Sequence, residues 1–173
     1  MSKTLILGGA RSGKSALAER LAKASGLAVT YIATAEALDE DMAERIARHR
    51  ADRPAAWRTL EVPRALAAAL LAESAPDRLL IVDCLTLWLT NLMLDEYASL
   101  LERERAALLE SLPRLAGPVV FVSNEVGLGI VPDNALARRF RDEAGRLNQA
   151  IASLCDHVVF VAAGLPLTLK DQR

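Results

Sequence analysis

The stretch Thr4-Leu5-Ile6-Leu7-Gly8-Gly9-Ala10-Arg11-Ser12-Gly13-Lys14-Ser15 decides how this chain is read. Residues 4–7 form a short apolar run of strand character. Residues 14–25 carry Ala16, Leu17, Ala18 and Leu21 on one side and are followed by Gly26, the pattern of an amphipathic helix with a glycine stop. Between strand and helix, Gly8, Gly9, Ala10, Arg11, Ser12, Gly13, Lys14 and Ser15 fit G-x-x-x-x-G-K-[ST]. The chemistry of phosphate binding asks for each part of that pattern. Glycines let the backbone turn tightly, so that successive N–H groups point at phosphate oxygens. The helix that follows adds the partial positive charge of its N-terminus. The lysine reaches the β- and γ-phosphates, and the hydroxyl is a ligand for Mg²⁺. A glycine turn with an incidental lysine is the competing reading, and the strand before and helix after favour a loop that grips a nucleoside triphosphate.

The alternation continues outward. Residues 28–33, 57–62, 79–82, 119–123 and 158–162 read as strands, with a short edge strand at 167–169. Residues 39–50, 63–73, 85–94, 97–112 and 135–154 read as helices. Strands alternating with helices predict an α/β fold, a three-layer P-loop arrangement around a mostly parallel central sheet. The 173 residues, without repeat, linker or low-complexity tract, fit one domain spanning 1–173.

Composition narrows the partners. The chain is 52% apolar and 25% charged, with a formal net charge of -1, so it lacks the basic field that grips nucleic acid. No apolar run is long enough to span a bilayer; residues 79–89 are interrupted by Asp83. The sequence enters its first strand at once, with no signal-peptide layout. Cys84 and Cys155 match no metal or redox spacing and read as reduced, buried thiols. The expected compartment is the cytoplasm.

Further positions carry chemistry. Asp83 ends an apolar strand where an acid would face Mg²⁺, directly or through water; a helix cap or a solvated carboxylate is the plainer alternative. No N-K-x-D segment for reading guanine is present, which argues against a switch GTPase. Arg138, Arg139, Arg141 and Arg146 fit either a segment that closes on phosphates or an exposed basic helix face. His49 stands among Arg45, Arg48, Arg50 and Arg53. A neutral imidazole is a competent nucleophile toward phosphorus, and nearby cations favour the neutral form. His49 also continues the Met42–Ile46 stripe, which fits a half-buried packing role. Residues 124–132, Asn-Glu-Val-Gly-Leu-Gly-Ile-Val-Pro, follow a buried strand at the edge where parallel sheets bind ligands, or form an ordinary turn there.

Taken together, these segments resemble the bifunctional adenosylcobinamide kinase / adenosylcobinamide-phosphate guanylyltransferase family. The likeness runs through nearly the whole chain: GGARSGKS at 8–15, YIAT at 31–34, D-x-x-M-x-x-R-I-x-x-H-x-x-x-R-P-x-x-W at 39–57, Glu61, L-T-x-x-x-x-N-L at 85–92, NEVGxGIVP at 124–132 and FRDxAGRxNQ at 140–149. The phosphate loop is shared by many unrelated proteins; the histidine segment and NEVGxGIVP are far more specific.

The resemblance implies two reactions. A nucleoside triphosphate, ATP or GTP, phosphorylates adenosylcobinamide; GTP then gives GMP to adenosylcobinamide phosphate through a GMP–histidine adduct, releasing pyrophosphate. It implies that His49 carries GMP and that Lys14 serves catalysis. It implies nucleotide contacts from Gly8–Ser15, from Ala33, Thr34 and Ala35, from Arg50, Ala51, Asp52 and Arg53, and from Glu61 and Asp83, with Ser15 and Asp83 on Mg²⁺. Asp83 is shorter than the Glu also associated with this position, which favours a water-mediated metal contact. A homotrimer is implied as well. A guanylyltransferase without kinase activity, and a GTP-dependent binding protein without chemistry, are the alternative readings.

Overall fold

The computed structural model describes residues 2–36, 53–97 and 99–172, together with Glu40, Glu44 and Ala47. The strands are β1 (Lys3–Gly8), β2 (Ala28–Ala33), β3 (Arg58–Glu61), β4 (Arg78–Asp83), β5 (Val119–Asn124), β6 (His157–Ala162) and β7 (Leu165–Asp171). The helices are α1 (Lys14–Ser25), α2 (Leu66–Glu73), α3 (Leu85–Met93), α4 (Leu100–Ser111) and α5 (Ala135–Leu154), with a 3₁₀ turn at Leu112–Arg114. Glu40, Glu44 and Ala47 are helical, in line with the helix expected at 39–50, whose other residues lie outside the described ones.

All seven strands form one sheet in the order β3-β2-β4-β5-β1-β6-β7. The first six are parallel and β7 returns antiparallel on β6. Strand side chains alternate between faces, and the sequence uses this to feed two cores. Leu5, Leu7, Leu80, Val82, Val119 and Phe121 point to one face, under α2, α3, α4 and α5. Ile6, Tyr31, Leu79, Ile81, Val120 and Val122 point to the other, under Leu17, Ala18 and Ala22 of α1. These strands are apolar on both faces because helices cover both, as buried parallel sheets require. The result is the three-layer architecture expected from the sequence.

Three boundaries differ from expectation. The α2 helix begins at Leu66, not at Pro63, because residues 63–65 turn first: Leu66 N–H donates to the Arg64 carbonyl at 2.7 Å. The α4 helix begins at Leu100, where its N–H reaches the Tyr97 carbonyl at 2.9 Å; Tyr97 N–H itself is held by Asp95 Oδ1 at 3.1 Å. β7 covers Leu165–Asp171 rather than three residues, since its whole length pairs with β6 around one bulge. No helix among the described residues is long and apolar enough to cross a membrane. Both cysteines are buried and unpaired with each other, as the sequence suggested.

Candidate active site

Parallel strands bring their C-terminal ends to one edge of the sheet, and most described candidate residues collect there. Gly8–Ser15 follows β1, Ala33–Ala35 follows β2, Glu61 ends β3, Asp83 ends β4, and the 124–132 loop follows β5. Register sets the neighbours: Ala33 lies opposite both Asp83 and Glu61, and Gly8 lies opposite Asn124.

The phosphate loop is shaped by two glycines. Gly8 has φ +156°, and a Cβ there would lie 2.3 Å from the Val161 carbonyl oxygen; only glycine lets β1 leave the sheet this close to β6. Gly13 has φ +102°, and a Cβ would come within 3.2 Å of Gly164 Cα. Gly164, in the β6–β7 turn, also donates its N–H to the Ser12 carbonyl at 2.8 Å. The loop therefore rests against the last hairpin of the chain.

The α1 helix starts at Gly13 with no side-chain cap and no acidic residue in its first turn. Its first amide donors are thus not met by a side chain, the arrangement that suits an anion. Lys14 is buried, 7% exposed, and its Nζ donates to the Gly9 carbonyl at 2.5 Å. Ser15 Oγ donates to Asp83 Oδ2 at 2.9 Å. Alternation along β4 explains the meeting: Leu79, Ile81 and Asp83 share the α1 face, so the strand's last residue meets the helix's first turn.

Tyr31, on the same face of β2, donates its hydroxyl to the same Asp83 Oδ2 at 2.6 Å. Burial first, then the adjacent Asp83 charge, push the phenol far above its usual value, so it remains a donor. The Arg53 guanidinium lies over the Tyr31 ring, 3.6 Å from its centroid, and Arg53 Nε is buried without a hydrogen-bond partner among the described residues. A buried donor of this kind, on the ring that reaches Asp83, is a place for a ligand oxygen. His49, Arg50, Ala51 and Asp52 lie outside the described residues.

A second layer fixes the β2 end. Thr34, fully buried, donates its hydroxyl to the Cys84 carbonyl at 2.7 Å and accepts from Cys84 N–H at 2.9 Å. Asn91 Nδ2 donates to the Thr34 carbonyl at 2.7 Å and the Pro63 carbonyl at 3.0 Å. Arg64 pairs with Glu36 and Asp95, joining the stretch after β2 to the end of α3. Cys84 caps α3 by accepting from Leu87 N–H. Of the α5 arginines, Arg138 holds the Pro132 and Asp133 carbonyls, while Arg141 and Arg146 pair with Asp142 and Glu143. Those three are occupied along their own helix and loop, which favours the plainer of their two readings.

A family model described as cobinamide kinase / cobinamide phosphate guanyltransferase matches residues 4–169. The chain belongs to this family. It is 62% identical over 170 residues to the bifunctional adenosylcobalamin biosynthesis protein CobP of Pseudomonas aeruginosa, covering 98% of each chain. It is 42% identical over 179 residues to the bifunctional adenosylcobalamin biosynthesis protein CobU of Salmonella typhimurium, covering 96% of this chain and 98% of that one. Among solved structures, a prototypical ATPase from the type III secretion system of pathogenic bacteria superposes with a TM-score of 0.58 at 13% identity, over 96% of this chain and 57% of that one. That likeness concerns the fold alone.

Within this cobinamide kinase / guanyltransferase fold, sequence reading had passed over Tyr31, Asn91 and Gly164 as site-building residues. Tyr31 sits in a strand pattern that marks it as core. Asn91 is a polar residue inside an apolar helix, a signal that a buried partner exists. Gly164 lies more than a hundred residues from the loop it backs, and no local pattern reports such a contact.

Proposed function

We propose that this chain carries out both reactions of its family on one sheet edge. It phosphorylates adenosylcobinamide with ATP or GTP, then transfers GMP from GTP to adenosylcobinamide phosphate. The observation that carries the reading is the convergence of Lys14, Ser15 and Asp83 beside the uncapped start of α1, in a chain that matches the family over residues 4–169.

In the kinase step the acceptor hydroxyl attacks the γ-phosphorus. The backbone donors of Gly8–Gly13 and the α1 amides hold the phosphates, and Lys14 leaves the Gly9 carbonyl to neutralise charge gathering on the β–γ bridge. In the guanylyl step neutral His49 attacks the α-phosphorus, pyrophosphate leaves, and a GMP phosphoramidate forms on the imidazole. The phosphate of the corrinoid then attacks the same phosphorus, frees His49 and yields adenosylcobinamide-GDP. Ala33, Ala35, Glu61 and the Arg50–Arg53 segment line the nucleotide in this reading, with the fully buried Thr34 holding the backbone between Ala33 and Ala35 and Arg53 Nε ready to meet a ligand oxygen. Ser15 and Asp83 present hard oxygen donors 2.9 Å apart, a pair that fits Mg²⁺. When bound, that ion neutralises charge on phosphate oxygens. The assembly proposed is a homotrimer in the cytoplasm, acting without nucleic acid, and the 173 residues serve as one catalytic unit.

Incubation with GTP labelled at the α-phosphorus tests the reading. A GMP label that survives denaturation, is lost in acid and persists in alkali is expected, and adenosylcobinamide phosphate should discharge it. His49→Asn should abolish the label while nucleotide still binds; a labelled His49→Asn protein removes His49 from the mechanism. Sedimentation at equilibrium should give three times the mass of one chain.

A further inference from the structure

Tyr31 lies outside every segment assigned to the nucleotide, yet it touches two of them. It is 4% exposed and faces the α1 side of the sheet, a position phenylalanine would fill as well. A hydroxyl there has lost its water, which costs free energy unless a partner replaces it. The partner is Asp83. Register places Tyr31 opposite Ile81, two residues behind Asp83 on the same face, so the long phenol reaches forward along the sheet to the carboxylate.

Both donors to Asp83, Tyr31 OH and Ser15 Oγ, land on the single oxygen Oδ2. Two donors on Oδ2 together restrain the turning of the carboxylate. The two donors are not equivalent. In the proposed function Ser15 turns its hydroxyl oxygen to Mg²⁺, and the Tyr31 hydroxyl is then the contact that stops Asp83 from rotating. Arg53, stacked 3.6 Å from the ring centroid, lies against the face of the ring. The first described residue after His49 is thereby seated on the side chain that orients the metal-side acid.

We infer that Tyr31 is a positioning residue: its hydroxyl orients Asp83 for the metal–nucleotide complex, and its ring couples that carboxylate to the segment carrying Arg53. The inference rests on the reading of Asp83 given above. It acts through Asp83 and touches neither phosphate nor acceptor.

The test is binding of a fluorescent GTP analogue to the full chain, titrated with Mg²⁺ and repeated in a chelator. Tyr31→Phe keeps the ring and the packing and removes only the hydroxyl. Outer-shell partners of metal ligands typically contribute a factor of 10–100 in metal affinity, so the Mg²⁺ concentration for half-maximal effect should rise about tenfold. Affinity in chelator should not change. On an Asp83→Asn background, Tyr31→Phe should add nothing further, since the two act as one unit. The inference is overturned by unchanged Mg²⁺ dependence in Tyr31→Phe. Equal loss of affinity with and without Mg²⁺, or the same tenfold effect on the Asp83→Asn background, overturns it too. The assay needs no group transfer: a chain that binds nucleotide and forms no GMP label contradicts the proposed function, while the Mg²⁺ comparison still decides the role of Tyr31.

Discussion

Lys14 illustrates what the site spends at the level of single residues. A cation at 7% exposure has given up most of its water, and the Gly9 carbonyl and the Ser12 hydroxyl are among the groups that replace it. A polyphosphate is a far better partner. Lys14→Ala is therefore expected to lower both the kinase and the guanylyl rates by about 10²–10³-fold, the usual cost of losing one donor to developing charge. The melting temperature of the same variant separates a loss of rate from a loss of fold. Parallel losses of rate and melting temperature would mark Lys14 as a structural residue instead. Residues of this kind were legible, since Lys14, Ser15 and Asp83 announce themselves by motif or by position at a strand end. Tyr31 was not: an aromatic residue in a β-branched run reads as packing, and only the register between β2 and β4 reveals that its hydroxyl has a charged neighbour.

Among the elements, α3 does more than cover the sheet. It presents Asn91 to the ends of β2 and of the turn before α2, and Asn91 donates to the buried Thr34 carbonyl and to the half-buried Pro63 carbonyl. Asn91→Ala leaves both acceptors unmet, and an unsatisfied buried group costs about 1–3 kcal/mol. Urea unfolding should show a loss of about 2–4 kcal/mol, counting the cavity as well as the acceptors. Nucleotide affinity should fall with it, because the Thr34 carbonyl belongs to the stretch that follows β2. Asn91→Asp, with the same shape and no donor, should behave like the alanine variant; stability equal to the parent would show that shape alone matters. Elements themselves were mostly readable, because apolar strands and helices with a period near 3.6 differ plainly in sequence. Helix starts at Pro63 and Tyr97 were misplaced by three residues, since tertiary hydrogen bonds, not propensity, decide where those helices begin. The β7 strand looked short because its exposed residues lack the apolar density of the buried strands.

For the molecule as a whole, burial of both thiols sets an alkaline limit. Burial pushes Cys84 up to about 11 and Cys155 up to about 12. In the unfolded chain a thiol ionises at about 8.5. Above that pH the unfolded state releases protons that the native state keeps, so stability is whole below about 8.5 and declines as pH rises through the native values. Urea midpoints should drop between pH 8 and 11, and Cys155→Ala should lessen the slope; an unchanged slope would assign the decline to other groups. Strand order is the part of the molecule that sequence conceals. Nothing local says that β6 crosses over to the outer side of β1, or that the turn after it supports the phosphate loop. That support has a consequence in time. The ribosome makes residues 8–15 long before their neighbours Val161 and Gly164. A nascent chain that has not reached residue 157 already spells the phosphate loop and has no wall behind it, so the loop gains its backing only once the β6–β7 turn has been made.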